Sequence, residues 1–172
     1  MAASNDEVAR AWFEACETGK GHAVCGQYQS DDATFECEGL PQIKLLSEYA
    51  GRRRAAACAR VGLGARVSRC VGGGGGARSY TNWMKGICES TMPDARYTLH
   101  SVTHNDEHTE FVFFATYHGT HTGAGGPVEP TGKSFSSHYA YAVSFNEHGK
   151  VRGMIKLWNS YVAFQKLGWP HP

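Results

Sequence analysis

The sequence predicts an α+β fold in which N-terminal helices pack on one face of a strongly curved antiparallel sheet. Two observations predict it. Apolar residues recur at helical spacing in the first half of the chain, whereas from residue 96 onward the chain forms alternating and aromatic-rich runs separated by turn residues. Helices therefore come first and a meander of strands follows, which is the order typical of α+β proteins.

Length and composition are those of one domain. A chain of 172 residues with 41% hydrophobic residues can bury a single core, so we expect one domain over residues 1–172. The N-terminus has no basic run followed by an apolar core, and no stretch is as long as a membrane span, which predicts a cytoplasmic protein without a membrane partner. The six cysteines form no CxxC pair, so we expect reduced thiols.

The first helix is predicted from Ser4 onward. Ser4 and Glu7 make a capping box, and apolar residues then recur at helical spacing until Gly19 and Gly21 end the run. A short helical piece over residues 22–28 is expected next.

A brief strand over residues 34–37 follows, with Glu36 and Glu38 on one face. These carboxylates suit either acid–base work in a pocket or a solvated sheet edge. Their alternation with Phe35 and Cys37 favours the edge.

An Arg- and Gly-rich stretch interrupts a third predicted helix. It contains seven arginines and five consecutive glycines, Gly72–Gly76, which cannot support regular structure. Joining Tyr49 directly to Thr81 restores the helical spacing of apolar residues, which predicts a disordered insertion at about residues 50–80. Without these arginines the formal net charge falls from +1 to −6, which argues against nucleic acid as the partner. An arginine-rich arm that grips nucleic acid is the alternative.

Four strands are predicted after Met92-Pro93. Residues 96–104 alternate, Asn105-Asp106 supplies a turn, and residues 109–118 form a long strand with apolar residues on both faces. Such a strand is expected to lie centrally, covered on both sides. A Gly- and Pro-rich loop then leads to a hairpin over residues 134–145 and 151–160.

The register of this hairpin depends on its turn. A two-residue loop at His148-Gly149 predicts three pairs, which are Ala142 with Ile155, Ala140 with Leu157, and His138 with Asn159. A three-residue loop with a bulge would instead set His138 against Trp158.

In the first register the two faces of the hairpin differ in side-chain size. Small residues surround His138 on one face and leave space, so we expect this face to turn inward around a ligand-binding cavity. The other face carries Tyr139, Tyr141 and Trp158. Because monomers seldom expose such an aromatic patch, we expect a homodimer through this outer face.

Several short motifs occur in an order that resembles the SnoaL-like polyketide cyclase family of the nuclear-transport-factor-like superfamily. They are a helix closed by Met92-Pro93-Asp94, GTHTG at residues 119–123, PTGK at residues 130–133, and N-x-x-x-x-x-Q-x-L-G at residues 159–168. The resemblance implies a cone-like α+β barrel around an apolar pocket, often dimeric through the outer sheet face. It also implies an aspartate that acts as acid and base on a polycyclic substrate, without metal or cofactor.

At the position of the family's aspartate this chain has Asn159, and an amide cannot take a proton at neutral pH. His138, opposite Asn159 in the first register, is the candidate replacement base, so these two are the predicted catalytic residues. The alternative is that His138 is a buried structural histidine and that Asn159 only supplies its hydrogen-bond partner. The predicted ligand-binding residues are His121, which matches the histidine of the family's GTH segment, and Tyr117, Trp12, Trp83, Phe113 and Leu157.

A metal site built from His118, His121 and His138 is disfavoured. His118 and His121 have opposite strand parity, and no carboxylate lies nearby in the pattern. We therefore predict no metal and no cofactor.

Two functions fit these observations. The first is a cofactor-free enzyme of the cyclase or isomerase type that acts on a small apolar carbonyl substrate. The second is a non-catalytic module of the same fold that binds a hydrophobic ligand or dimerises. The missing aspartate favours the second function, and the small-residue face around His138 favours the first.

Overall fold

The computed structural model describes residues 3–38, 40, 43, 46 and 79–170, and these form helices packed on a five-stranded sheet. The helices are α1 (Asn5–Glu17), α2 (His22–Cys25), α3 (Tyr80–Gly86) and α4 (Ser160–Leu167). A 3-10 turn, Gly26–Tyr28, extends α2, and a π turn, Ile87–Thr91, extends α3. The strands are β1 (Gln29–Glu36), β2 (Arg96–His104), β3 (Glu110–Thr120), β4 (Ser134–Phe145) and β5 (Val151–Trp158). The α+β class is confirmed.

The local signals at the N-terminus are confirmed. The Ser4 hydroxyl accepts from the Glu7 amide, and the Glu7 carboxylate accepts from the Ser4 amide at 2.9 Å, which completes the capping box. Gly19 has a φ of +67°, and a Cβ there would lie 2.6 Å from the Cβ of Cys88. Glycine therefore ends α1 and lets the π turn after α3 pack against it.

The sheet is mixed, not wholly antiparallel as expected. Its strand order is β1-β5-β4-β3-β2, in which β1 pairs with β5 in parallel and all other pairs are antiparallel. β3 is an interior strand between β2 and β4, although the central strand of the sheet is β4. However, Val112 and Phe114 on its outer face are 43% and 42% exposed, so this strand is covered on one face only. Glu36 and Glu38 are exposed, in agreement with a solvated edge at β1.

The body of the β4–β5 hairpin has the first predicted register. Ala142 pairs with Ile155 and Ala140 with Leu157. The turn is longer than expected, because the Asn146 amide donates to the Lys150 carbonyl and a shift in register follows between Ser144 and Phe145.

The two faces of the hairpin are the reverse of the prediction. Tyr139 and Tyr141 are buried beneath the helices and Trp158 is partly buried, whereas Leu157 is 61% exposed on the outer face. The helices cover the aromatic face because large aromatic side chains bury more apolar area and fill more space there than Ala140 and Ala142 could. The predicted dimer contact through Tyr139, Tyr141 and Trp158 is therefore wrong.

The core is built from aromatic contacts between α1 and the inner face of the sheet. Phe13 stacks on Phe113 with ring centroids 4.4 Å apart and meets Tyr141 edge to face at 5.6 Å. Trp12 is fully buried beside the same tyrosine. None of the described helices has the length and apolar character that crossing a bilayer requires.

Most of the predicted insertion, namely residues 50–78 of about 50–80, lies outside the described residues. On either side of it, the Thr81 hydroxyl donates to the Leu46 carbonyl at 2.9 Å, so the two flanks lie together. Ser79 and Tyr80 do not belong to the insertion. Ser79 caps α3 by accepting from the Asn82 amide, and Tyr80 is completely buried as the first residue of that helix.

Candidate functional site

A cavity lies between α3, α4 and the inner face of β3, β4 and β5. It has a volume of about 440 Å³ when the space open to solvent is included, and the side chains leave free room inside it for only one or two waters. The wall is mostly aromatic and aliphatic. Its lining residues are Trp83, Met84, Ile87, Met92, Tyr117, Phe135, Ser137, Tyr139, Lys156, Trp158, Leu167 and Trp169.

Lys156 is a charged residue in this apolar wall. It lies on the inner face of β5 between Met154 and Trp158, and only 8% of its surface is exposed. Its Nζ donates one hydrogen bond, of 3.0 Å, to the Tyr80 hydroxyl. Five aromatic rings surround the Nζ with centroids 4.6 to 5.8 Å away, namely those of Trp158, Tyr80, Tyr139, Tyr141 and Trp83. Such rings attract an ammonium through their negative faces.

Glu17 is the buried counterpart of Lys156, at the last turn of α1. It is 2% exposed, and its two carboxylate oxygens accept from the hydroxyls of Tyr139 and Tyr141, each at 2.5 Å. The Tyr141 hydroxyl is also hydrogen-bonded to that of Tyr80. All three hydrogen bonds can therefore point the same way, with Lys156 donating to Tyr80, Tyr80 to Tyr141, and Tyr141 to Glu17.

Tyr139 completes this network on the cavity side. It lines the cavity and donates to the second oxygen of Glu17, so the chain of hydrogen bonds begins at the cavity with Lys156 and returns to it at Tyr139. Glu17, Tyr80 and Tyr141 lie behind the wall. We call these five residues the tyrosine relay.

Burial shifts the pKa of both charged members of the relay toward the neutral form. Desolvation lowers the pKa of Lys156, and the negative charge of Glu17 opposes that shift. Desolvation likewise raises the pKa of Glu17, against the opposing effects of the Lys156 charge and of the hydrogen bonds from Tyr139 and Tyr141. The neutral amine with a protonated carboxyl is therefore closer in free energy to the ionised pair than it would be in water.

Tyr117 and Trp158 bring further polar groups to the cavity wall. The Tyr117 hydroxyl and the Cys88 thiol are 3.3 Å apart. The indole Nε1 of Trp158 is buried and has no hydrogen-bond partner among the described residues. An unpaired buried donor beside a cavity is a point at which a ligand oxygen could bind.

The predicted catalytic pair is not formed. His138 is exposed on the outer face, and its Nδ1 lies 2.7 Å from the Thr116 hydroxyl. Asn159 follows the end of β5 and caps α4, with its side-chain oxygen accepting from the Val162 amide at 3.1 Å. The chain leaves the sheet one residue before the predicted pairing of His138 with Asn159, and both residues lie away from the cavity.

The six predicted ligand-binding residues lie in different places. Tyr117 and Trp83 line the cavity. Trp12 and Phe113 are fully buried in the core and are not among its lining residues, and Leu157 is on the outer face.

His121 is fully buried beside the cavity and is not one of its lining residues. Its Nδ1 accepts from the Trp169 indole at 3.0 Å, and Trp169 in turn lines the cavity. His121 therefore supports the wall without belonging to it.

The histidines that sequence reasoning considered for a metal do not converge. His121 is buried, whereas His138 lies on the outer face of the sheet with His118 on the neighbouring strand. Among the residues that the structure describes, one group of three side chains could approach a metal ion together, Asp6, His104 and His108, at the surface near the start of α1.

Sequence reasoning missed Glu17 and Lys156 as site residues. The signal was present, because each is a charged residue on an otherwise apolar face, Glu17 four residues after Phe13 and Lys156 two after Met154. Whether Lys156 is buried could not be inferred, because that depends on which face of the hairpin points toward the helices.

Neither a protein-family model nor a curated protein sequence matches this chain. Solved structures do match. A proposed SnoaL-like polyketide cyclase from Jannaschia sp. CCS1 has a TM-score of 0.62 and 13% identity, with 99% of each chain covered. An NTF2-like protein from Burkholderia thailandensis E264 has a TM-score of 0.59 and 14% identity, covering 96% of this chain and 98% of that one. AclR, a proposed hydroxylase from Streptomyces galilaeus, has a TM-score of 0.61 and 16% identity, covering 98% and 87%. This chain therefore has the α+β fold of the SnoaL-like and NTF2-like proteins.

Proposed function

We propose that this protein binds a small, mainly apolar compound with a carbonyl group in the inner cavity and moves a proton between two positions of that compound. The observation that supports it is the tyrosine relay, whose two cavity-facing members, Lys156 and Tyr139, are joined through Glu17 behind the wall. One point of the wall can then take up a proton while another gives one.

The relay supplies both partners of an enolisation. When the proton of Lys156 has passed through Tyr80 and Tyr141 to Glu17, the amine of Lys156 can remove a proton from the carbon next to the carbonyl. The protonated carboxyl of Glu17 can then donate to Tyr139. The Tyr139 hydroxyl hydrogen is thereby released to the carbonyl oxygen, where negative charge develops.

The size and chemistry of the cavity limit the substrate. Aromatic and aliphatic side chains favour an apolar body, and the small free space limits the compound to about one ring, for which the side chains of the wall must move apart. Similar folds carry names of related chemistry, among them a proposed polyketide cyclase, IdmH, from Streptomyces antibioticus. Cyclisation and isomerisation of carbonyl compounds both begin with such a proton transfer.

The test is deuterium exchange of cyclohexanone in D₂O, followed by proton NMR. We expect the protein to accelerate loss of the signal next to the carbonyl, and Lys156→Met and Lys156→Arg to return the rate to that of buffer. Arginine keeps the positive charge but cannot act as a base. Lys166→Met, at an exposed lysine, is the matched control and should keep the rate. Equal rates in all variants would refute the proposal and leave the non-catalytic function.

We also propose that the outer face of the sheet forms a homodimer. Two rows of residues cross β3, β4 and β5, Phe114–Ala140–Leu157 and Val112–Ala142–Ile155. In each row the residues on β3 and β5 have large side chains that are 42 to 61% exposed, and the residue on β4 between them is alanine. Two ridges with a trough between them can interdigitate with the same surface of a second copy.

A further inference from the structure

We infer that the amine of Lys156 forms an imine with the carbonyl carbon of the bound compound, so that proton transfer proceeds through an enamine. This inference rests on the proposed function, because it requires a carbonyl compound in the inner cavity. It changes the role of Lys156 from a base to a covalent catalytic residue.

The surroundings of Nζ are those of a nucleophile. Its one hydrogen bond goes to Tyr80, and no carboxylate of the described residues comes within 4.0 Å of it. The remaining neighbours are ring faces, and the side chain lines the cavity. A carbonyl compound in the cavity therefore lies beside this side chain, and a bond to its nitrogen would displace no ion pair.

Burial distinguishes this lysine from the other described lysines. Lys20, Lys85, Lys133, Lys150 and Lys166 are all exposed. Desolvation lowers the pKa of Lys156, which raises the fraction of neutral amine at neutral pH. An amine must be neutral to attack a carbonyl carbon.

The relay balances the protons of the reaction. Nζ forms a bond to the carbonyl carbon, and the carbonyl oxygen takes a proton from Tyr139 to give a carbinolamine. The nitrogen returns a proton to the relay through Tyr80. A second proton then reaches the hydroxyl, the carbon–oxygen bond breaks, and one water leaves. Of the two hydrogens in that water, one comes from the nitrogen and one from the protonated Glu17 carboxyl, which leaves a protonated imine and a Glu17 carboxylate, so neither an oxidant nor a reductant is needed.

The enamine explains how a proton could be moved without a separate strong base. A protonated imine draws electrons toward nitrogen and acidifies the neighbouring carbon–hydrogen bond, which Tyr139 or water can then deprotonate. Reprotonation at another position and hydrolysis release the isomer and restore the amine of Lys156.

The experiment traps the imine. Full-length protein is incubated with cyclohexanone and sodium cyanoborohydride, which delivers hydride to an iminium carbon, and the modified lysine is located by peptide mass spectrometry. In the wild-type protein and in Lys166→Met we expect Lys156 to be modified at least about tenfold more than any exposed lysine, given the difference in neutral amine. Comparing lysines within one protein keeps the test valid if a Lys156 variant folds poorly.

Two results would overturn the inference in distinguishable ways. If exchange depends on Lys156 but no adduct forms there, the imine is refuted and the proposed function stands, with Lys156 as a base. If neither exchange nor an adduct at Lys156 occurs, both proposals fail. An adduct at Lys156 that is lost in Tyr80→Phe, while the mean residue ellipticity is unchanged, would support the relay as the proton carrier.

Discussion

Glu17 and Lys156, near the two ends of the chain, are joined in the core through the hydroxyls of Tyr141 and Tyr80. Each is less than 10% exposed, and together they contribute no net charge to the interior when both are ionised. Burying two ions is costly, and the cost is tolerated when each is hydrogen-bonded. This arrangement predicts effects on stability that do not depend on any substrate.

Lys156→Met should destabilise the protein by about 3 kcal/mol at neutral pH, because it leaves the Glu17 charge buried without its partner. The double variant Lys156→Met/Glu17→Gln should recover most of that loss. Urea unfolding of the two single variants and the double variant measures the coupling. Additive losses would show that the two side chains do not interact.

The loss in Lys156→Met should shrink as the pH falls. Burial raises the pKa of Glu17 above its unfolded value, so the folded state binds the proton more tightly. The stabilisation from that proton is fully present below the unfolded pKa of about 4.3 and is lost as the pH rises through the folded pKa. Urea midpoints between pH 4 and pH 8 test the direction, and a variant that is least stable at the acid end would contradict it.

Tyr80→Phe should slow the exchange of cyclohexanone at least about tenfold, since it interrupts the relay between Lys156 and Tyr141 while keeping the ring stacked on Phe35. Tyr97→Phe is the matched control, because Tyr97 packs on Phe13 and lies outside the relay. Proton NMR in D₂O gives the rates. An unchanged rate in Tyr80→Phe would remove this tyrosine from the mechanism.

The exchange rate should rise with pH and reach half its maximum below 10.5, the ordinary pKa of lysine. Desolvation lowers the pKa of Lys156, so the neutral amine accumulates at lower pH than on an exposed side chain. A pH profile of the rate, corrected for the buffer reaction, measures it. A rate that falls with increasing pH would show that the ammonium, rather than the amine, is needed.

Leu157→Glu should convert a homodimer into a monomer, because Leu157 is 61% exposed in the outer row and the partner's face would have to bury a carboxylate. Val128→Glu, at an exposed residue of the loop before β4, is the control and should leave the dimer intact. Light scattering at micromolar concentration gives the mass. A monomeric wild-type protein would refute the dimer.

Deleting residues 50–78 should leave thermal stability unchanged or slightly higher. The flanks already lie together through Leu46 and Thr81, and a shorter connection loses less entropy on closure, about 1–2 kcal/mol for this change in length. Thermal unfolding of the deletion variant is the measurement. A fall of more than about 10 °C, well beyond what 1–2 kcal/mol would produce, would mean that this stretch packs on the domain.

The sequence by itself determined the elements whose signals are local. The capping box of Ser4, the interior position of β3, and the pairing of Ala142 with Ile155 were all predicted from short stretches, although the hairpin turn itself is longer than expected. The α+β class follows from the order of these elements.

Only the tertiary structure decided which face of the hairpin is inside. Side chains of a strand alternate between its two faces, and here one face is aromatic and the other is small and partly polar. This alternation determines which residues share a face, but not which face points toward the core. The helices cover the aromatic face because it buries more apolar area. That choice places His138 outside and joins Lys156 to Glu17 through the hydroxyls of Tyr80 and Tyr141, a connection between distant parts of the chain that no local pattern contains.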